Sequence, residues 1–174
     1  MKKMKPITMI LVALSVMMAG SFHATAQTDF EEGQIAVNAG LTYGFDIEDI
    51  GLRGGVTYFI NENMRAGGDI TYWLIGDESF FGESISFTYL EINGNFNYIF
   101  YNQDDLLLYG IGALGIHLAR VSIAGESDSD SELGLGLGAG AEYNLGGLSI
   151  FAEPKLFLSG FDQLKFNVGV RFYL

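Results

Sequence analysis

The chain has 174 residues, with no Cys, 24 Gly, 2 Pro, and 49% hydrophobic against 17% charged residues; it is too apolar to be disordered and suits one packed or membrane-embedded domain. The lack of cysteine excludes disulfides, thiolate nucleophiles, Cys-ligated zinc, iron–sulfur clusters and the lipid-bearing Cys of a bacterial lipoprotein. A formal charge of −12, from 9 basic and 21 acidic residues, leaves no nucleic acid partner, because phosphate contacts need clustered Lys and Arg.

Residues 1–26 read as an export signal. Lys2, Lys3 and Lys5 form a positive start, and Ile7 to Gly20 an apolar run too short for an ordinary transmembrane helix. Ala24-Thr25-Ala26 is an A-x-A cleavage pattern that would leave Gln27 as the mature N-terminus. Cleavage removes three cations and no carboxylate, so the charge moves to −15 over 148 residues and His117 is the only histidine left. Residues 27–174 then form one domain, and no stretch of it has the ~20 continuous apolar residues of a transmembrane helix.

That domain alternates apolar and polar residues in segments separated by acidic, Asn-rich or Gly-rich turns, the period of a β-strand. The first predicted strand, about 34–45, sets Ile35, Val37, Leu41 and Tyr43 against Gln34, Asn38 and Thr42. The second, about 50–60, opposes Leu52, Val56 and Tyr58 to Arg53 and Thr57; the third, about 64–75, opposes Ala66, Ile70 and Tyr72 to Arg65, Asp69 and Thr71. The fourth, about 85–100, opposes Leu90, Ile92, Phe96 and Tyr98 to Glu91, Asn93, Asn95 and Asn97. In the fifth, about 106–122, Gly110, Gly112 and Gly115 fit either parity and admit a bulge near Gly115, so its faces stay unassigned. The sixth, about 132–143, puts leucines and alanines against Gly134, Gly136, Gly138, Gly140 and Glu142. The seventh, about 148–158, opposes Ile150, Leu156 and Leu158 to Ser149, Glu153 and Lys155. The eighth is the clearest: Leu164, Phe166, Val168, Val170, Phe172 and Leu174 alternate with Lys165, Asn167, Gly169, Arg171 and Tyr173.

Eight antiparallel strands close either as a soluble barrel with an apolar cavity or as a transmembrane barrel with a polar interior. The charges decide for the membrane. Arg53, Arg65, Lys155, Lys165 and Arg171 sit mid-strand on the polar face with Asp69, Glu91, Glu142 and Glu153, near balance, as paired charges filling a narrow lumen would. Tyr58, Tyr98, Phe100, Tyr143 and Phe172 fall near one end of the strands, and Tyr43, Phe45, Tyr72 and Phe166 near the other, as two interfacial girdles. The expected architecture is therefore all-β: an eight-stranded antiparallel up-and-down transmembrane β-barrel. Short connections at 61–63, 101–105 and 144–147 face the periplasm; the outer ones, about 46–49, 76–84, 123–131 and 159–162, include the two longest. Those outer loops and their margins carry Asp46, Glu48, Asp49, Asp77, Glu78, Glu83, Glu126, Asp128, Asp130, Glu132 and Asp162.

By this pattern, residues 33–174 resemble the small eight-stranded outer-membrane β-barrels of Gram-negative bacteria, the OmpX/OmpA type of porin-like outer membrane protein β-barrel domain. The most specific motif is C-terminal: Asn167, Gly169, Phe172 and Leu174 are similar to the barrel-assembly signal, with Leu174 where Phe is commonest. The resemblance implies outer-membrane location, contact with lipid, lipopolysaccharide and the barrel-assembly machinery, and a monomer.

Catalytic and ligand motifs are weak. His117 has no Ser two residues on, where Ala119 stands, and Ser122 lies at an odd offset that a strand turns to the opposite face, so a structural histidine is the better reading. The carboxylates from Glu126 to Glu132 lack the central Gly and spacing of an EF-hand and read as a solvated, flexible loop. Gly134 to Gly140 has no following Lys or helix and reads as a strand rather than a phosphate loop. No catalytic, cofactor or metal residues are assigned. The expected function is a non-enzymatic barrel with a plugged lumen and a structural or surface-interaction role. A narrow channel for ions or small solutes is the alternative, and a lipid-modifying enzyme the third reading.

Overall fold

The computed structural model describes residues 32–75, 78–80, 83–123, 126–158 and 162–174. The expected export signal and Asp77 lie outside these residues. Among them are nine strands and no helix: β1 (Ile35–Gly44), β2 (Asp49–Asn61), β3 (Met64–Trp73), β4 (Glu78–Phe80), β5 (Glu83–Gln103), β6 (Leu106–Ile123), β7 (Glu126–Asn144), β8 (Leu148–Leu158) and β9 (Gln163–Tyr173). Sequential antiparallel pairing runs from β5 through β9, on through β1 and β2 to β3, and a β3–β5 ladder closes the ring. The result is an eight-stranded up-and-down barrel. β4 stands outside it, paired only with the start of β5.

Polarity is inverted relative to a soluble barrel. Leu52, Val56, Ile70, Ile92, Phe96, Leu135, Leu137 and Leu156 point outward and are exposed, whereas Arg53, Arg65, Glu91, Glu142, Glu153 and Arg171 are buried inside. With strands of 10 or 11 residues in β1, β3, β8 and β9, the apolar belt matches the 9–11 residues a tilted strand needs to cross a bilayer. The aromatic residues at both rims face outward: Tyr58, Tyr98, Phe100, Tyr143 and Phe172 at one end, Phe45, Tyr72 and Phe166 at the other.

The tight turns gather at one end. Asp104 and Asp105 join β5 to β6 with φ of 51° and 70°, the left-handed pair of a primed hairpin, which Asp tolerates better than most residues. This turn is shorter than the connection expected over 101–105, because β5 runs on to Gln103. β6 pairs with β5 without interruption through Asn93↔Gly115, so no bulge exists at Gly115. The register shifts lie elsewhere, at Phe59/Asn61 in β2 and at Ile99/Tyr101 in β5. β6 thereby turns Leu107, Tyr109, Ile111 and His117 inward.

The other end departs further from expectation. The acidic stretch 126–132, expected as a flexible loop, is strand: β6 and β7 pair as far as Ile123↔Glu126. β8 joins β7 only from Leu135↔Leu158, and β3 joins β5 only from Tyr72↔Leu90. Beyond those rungs β5, β6 and β7 continue as a three-stranded ribbon, with the short β4 added along the start of β5. Along β7 that extension is nine residues, roughly 30 Å at 3.3 Å per residue.

Candidate functional site

The lumen is filled in layers. At the tight-turn end, Ala36, Phe59, Ile99, Leu107, Tyr109 and Ile111 form an apolar cluster with Tyr173 packed against it. Parity does not mark Phe59 and Ile99, because each sits in an apolar run (Tyr58-Phe59-Ile60, Tyr98-Ile99-Phe100) just before a register shift, where both faces are apolar.

Above this layer Glu142, on β7, is a hub. Arg65 donates to it from Nη1 at 2.8 Å, and Arg171, Ser149 and Tyr173 also donate to its carboxylate. The Arg65 guanidinium also lies 4.1 Å from the Tyr109 ring centroid and 5.6 Å from that of Phe59. The next layer centres on Glu153 of β8, which accepts from Arg53 Nη1 at 2.8 Å and Tyr109 Oη at 2.9 Å, with Lys155 Nζ at 3.4 Å. Arg53 turns its other nitrogen to Asp69 at 2.9 Å, and Asn93 and Asn95 donate to the same carboxylate at 3.0 and 2.6 Å. Lys155 closes the ring by donating to Asn95 Oδ1 at 2.9 Å.

Nearer the ribbon, Lys165 pairs with Glu91, which also accepts from Trp73 Nε1 at 3.0 Å. An aromatic layer covers this pair: Trp73 stacks on Tyr89 at 6.0 Å, Tyr89 Oη and His117 Nδ1 are 2.8 Å apart, and the Phe157 ring meets His117 edge-on at 5.1 Å. Ser122 pairs with Ser86 and Ser127 at an odd offset from His117, on the other face of the strand, so no serine–histidine couple forms between them.

The nine charged residues Arg53, Arg65, Asp69, Glu91, Glu142, Glu153, Lys155, Lys165 and Arg171 are thus all buried in the interior, seven of them joined in one ion-paired network and Lys165 and Glu91 paired with each other nearer the ribbon. The void among Asn38, Arg53, Asp69, Glu153 and Lys155 measures about 10 Å³, room for about one water. Glycine makes the tight curl possible at Gly169, where a Cβ would come within 2.4 Å of the Ala39 carbonyl oxygen, and at Gly140, where it would enter the Tyr109 ring.

The C-terminal motif lies on β9 beside β1. Asn167 is buried, accepting from Thr42 Oγ1 at 2.7 Å and donating to the Glu153 carbonyl at 3.0 Å. Gly169 faces Gly40, Phe172 points outward, and Leu174 is exposed with its N–H donating to the Ile35 carbonyl at 2.9 Å.

A closed antiparallel barrel with an apolar exterior, aromatic rims and a charged interior defines the class: a transmembrane β-barrel of the bacterial outer membrane. The chain belongs to the family of the outer membrane protein beta-barrel domain, whose model matches residues 12–172. Among solved structures it is similar to the N-terminal β-barrel domain of Pseudomonas aeruginosa OprF, with a TM-score of 0.69 and 12% identity over 83% of this chain and 100% of that one. It is also similar to Ail, the attachment invasion locus protein of Yersinia pestis (TM-score 0.60, 20% identity, 82% and 99% covered). Neisserial surface protein A gives a TM-score of 0.60 at 18% identity, with 80% and 94% covered. No curated protein sequence matches the chain.

Proposed function

We propose that this outer-membrane barrel is a closed, non-enzymatic scaffold that acts through its outward end, presenting the β5–β6–β7 ribbon to the surroundings of the cell. The carrying observation is the ribbon itself, which continues past the last rungs to β3 and β8. A chain selected only to span the bilayer has no use for it. The exposed residues of β7 from Ser127 to Ser131 alternate Ser with Asp128 and Asp130, a hydrated acidic surface suited to meeting another surface in water. The ion-paired layers support the closed-lumen part of this reading, since ions crossing the barrel would have to break buried pairs such as Arg53–Glu153 and Arg65–Glu142. The placement of Ser122 on the face opposite His117 supports the non-enzymatic part. A structural neighbour that is itself an attachment invasion locus protein, Ail, agrees with a role at the surface.

Two measurements test the reading. Refolded protein in planar bilayers should give no unitary conductance; reproducible steps would replace the closed scaffold with a channel. Cells displaying the chain should lose adhesion to coated surfaces when residues 119–130 are replaced by an Asn-Gly turn, with barrel folding unchanged. Equal adhesion of the two strains would remove the role of the ribbon.

A further inference from the structure

At the ribbon end, above the aromatic layer, lies a cavity of about 200 Å³. One wall is the inner face of the ribbon, with Phe87, Tyr89, Ala119 and Val121; Phe87↔Val121 and Tyr89↔Ala119 are cross-strand pairs. Ile47 and Ile75 supply apolar surface opposite. An apolar cavity of 150 Å³ is enough to hold benzene, so this one has room for a single ring and a short chain.

Two features make it more than a gap between loops. Gln163, at the start of β9, lines the cavity; it is 3% exposed, yet neither its amide nitrogen nor its oxygen has a hydrogen-bond partner. Its carboxamide lies over Gly44, where a Cβ would come within 2.6 Å of Nε2 and 2.9 Å of the Trp73 ring. An unpaired buried carboxamide is costly unless something else completes it. The second feature is charge. Asp46 and Asp162 line the cavity, and Asp130 and Asp128 stand opposite Ala119 and Val121 on the adjoining strand. Arg120, the one cation among the described residues of the ribbon, also borders the cavity, but its guanidinium is engaged in donating to Ser127 Oγ at 2.9 Å.

We infer that this cavity is a binding site for a small amphipathic organic cation: an apolar ring against Phe87, Val121 and the isoleucines, with an ammonium group held by the Gln163 carboxamide oxygen and the rim carboxylates. An anion would meet four carboxylates, Asp46, Asp162, Asp128 and Asp130, offset only by the Gln163 amide N–H groups and an Arg120 already engaged with Ser127, and a neutral apolar molecule leaves Gln163 unpaired. Aromatic faces at Phe87 and Tyr89 add attraction for the cation. The site goes beyond the surface role proposed above and holds whether or not the ribbon meets a partner.

The test uses the full barrel in lipid nanodiscs, with empty nanodiscs subtracted. Phenethylammonium is the probe; phenylacetate and ethylammonium are its controls, lacking the positive charge and the ring respectively. Trp73, the only tryptophan of the chain, lies beneath the cavity, and its emission together with the side-chain amide resonances of Gln163 reports occupancy. Phenethylammonium should bind at least about tenfold more tightly than either control, with the gap over phenylacetate narrowing in high salt. Ala119→Phe should abolish binding by filling the cavity, and Gln163→Leu should weaken it about tenfold while heat-modifiable migration shows both barrels folded. Failure of phenethylammonium to bind, equal or better binding of phenylacetate, or undiminished binding to Ala119→Phe would each overturn the assignment.

Discussion

Glu142→Leu is the substitution that most directly probes the interior. Glu142 is 1% exposed and receives both Arg65 and Arg171, together with the hydroxyls of Ser149 and Tyr173. Without its carboxylate, Arg171 keeps a second carboxylate, Glu153, at 3.6 Å, but Arg65 is left with no carboxylate in contact, keeping its stacking on Tyr109 and Phe59 and the Asn97 carboxamide oxygen at its Nε. Removing one partner of a buried pair typically costs about 3–5 kcal/mol, and one guanidinium left without a carboxylate places this case near the upper end, about 5 kcal/mol. That is between three and four powers of ten in the folded-to-unfolded ratio. Glu142→Gln keeps an acceptor oxygen for one guanidinium and should cost less, about 3 kcal/mol. The assay is reversible urea unfolding in lipid vesicles followed by Trp73 emission, since its indole is buried against Glu91 and Tyr89. Pairing Glu142→Leu with Arg65→Met isolates the coupling, which should exceed about 2 kcal/mol. A loss below about 1 kcal/mol for Glu142→Leu, or a coupling near zero, would refute the view that these ion pairs hold the barrel together.

The glycines separate by face: Gly169→Ala must push into the Ala39 carbonyl and should destabilise by about 1–3 kcal/mol, whereas Gly68→Ala meets nothing nearer than 3.5 Å on the lipid side and should change stability by less than about 0.5 kcal/mol in the same unfolding assay. Hydrogen exchange in nanodiscs should show the amides of β7 between Ser127 and Ser131 that point away from β6 exchanging far faster than those of β9, because only β6 pairs that stretch; equal protection would mean the edge is covered. Leu174→Phe, which brings the C-terminus to the commonest form of the assembly motif, should raise the heat-modifiable folded fraction recovered from cells without moving the unfolding midpoint, because residue 174 is exposed and tied to β1 by a backbone hydrogen bond that the substitution keeps.

Strand number, strand faces and membrane setting are legible in the sequence because lipid outside and a packed interior impose opposite demands on successive residues. The predicted 148–158 matches β8 in full, and 106–122 falls one residue short of β6. Parity weakens where the demands relax. In the ribbon successive residues from Ser127 to Ser131 are polar and exposed on both faces, so the Ser–Asp alternation carries no apolar signal and reads as loop, although the backbone pairs throughout. At the tight-turn end the interior is itself apolar, and Phe59, Ile99 and Leu107 lose their contrast with the outer face. Gly54, Gly68, Gly94, Gly110 and Gly112 show the same ambiguity from the other side: a Cβ added at any of them meets nothing closer than 3.5 Å, so they are not the crowding-relief glycines of the interior. The unpaired Gln163 carries no sequence signal at all, because an amide at a strand start is ordinary until its surroundings are known.

The charged interior also has a role in specificity that an apolar one could not fill. Slipping one strand past its neighbour by a single residue exposes its polar face to lipid and is strongly opposed. A slip of two residues preserves parity, and the lipid-facing belt of leucines, valines and phenylalanines offers little resistance to it. The interior resists it, because several of its pairs join strands that are not neighbours: Arg53 of β2 to Glu153 of β8, Arg65 of β3 to Glu142 of β7, and Lys165 of β9 to Glu91 of β5. A two-residue slip in any of these strands moves a charge about 7 Å along the strand and leaves it buried without its partner, a penalty of several kcal/mol. An interior of leucines would fill the same volume and tolerate the slip. The ion pairs crossing the lumen are therefore register marks between strands that share no backbone hydrogen bond, which accounts for five of the chain's nine cations lying where desolvating them is most expensive.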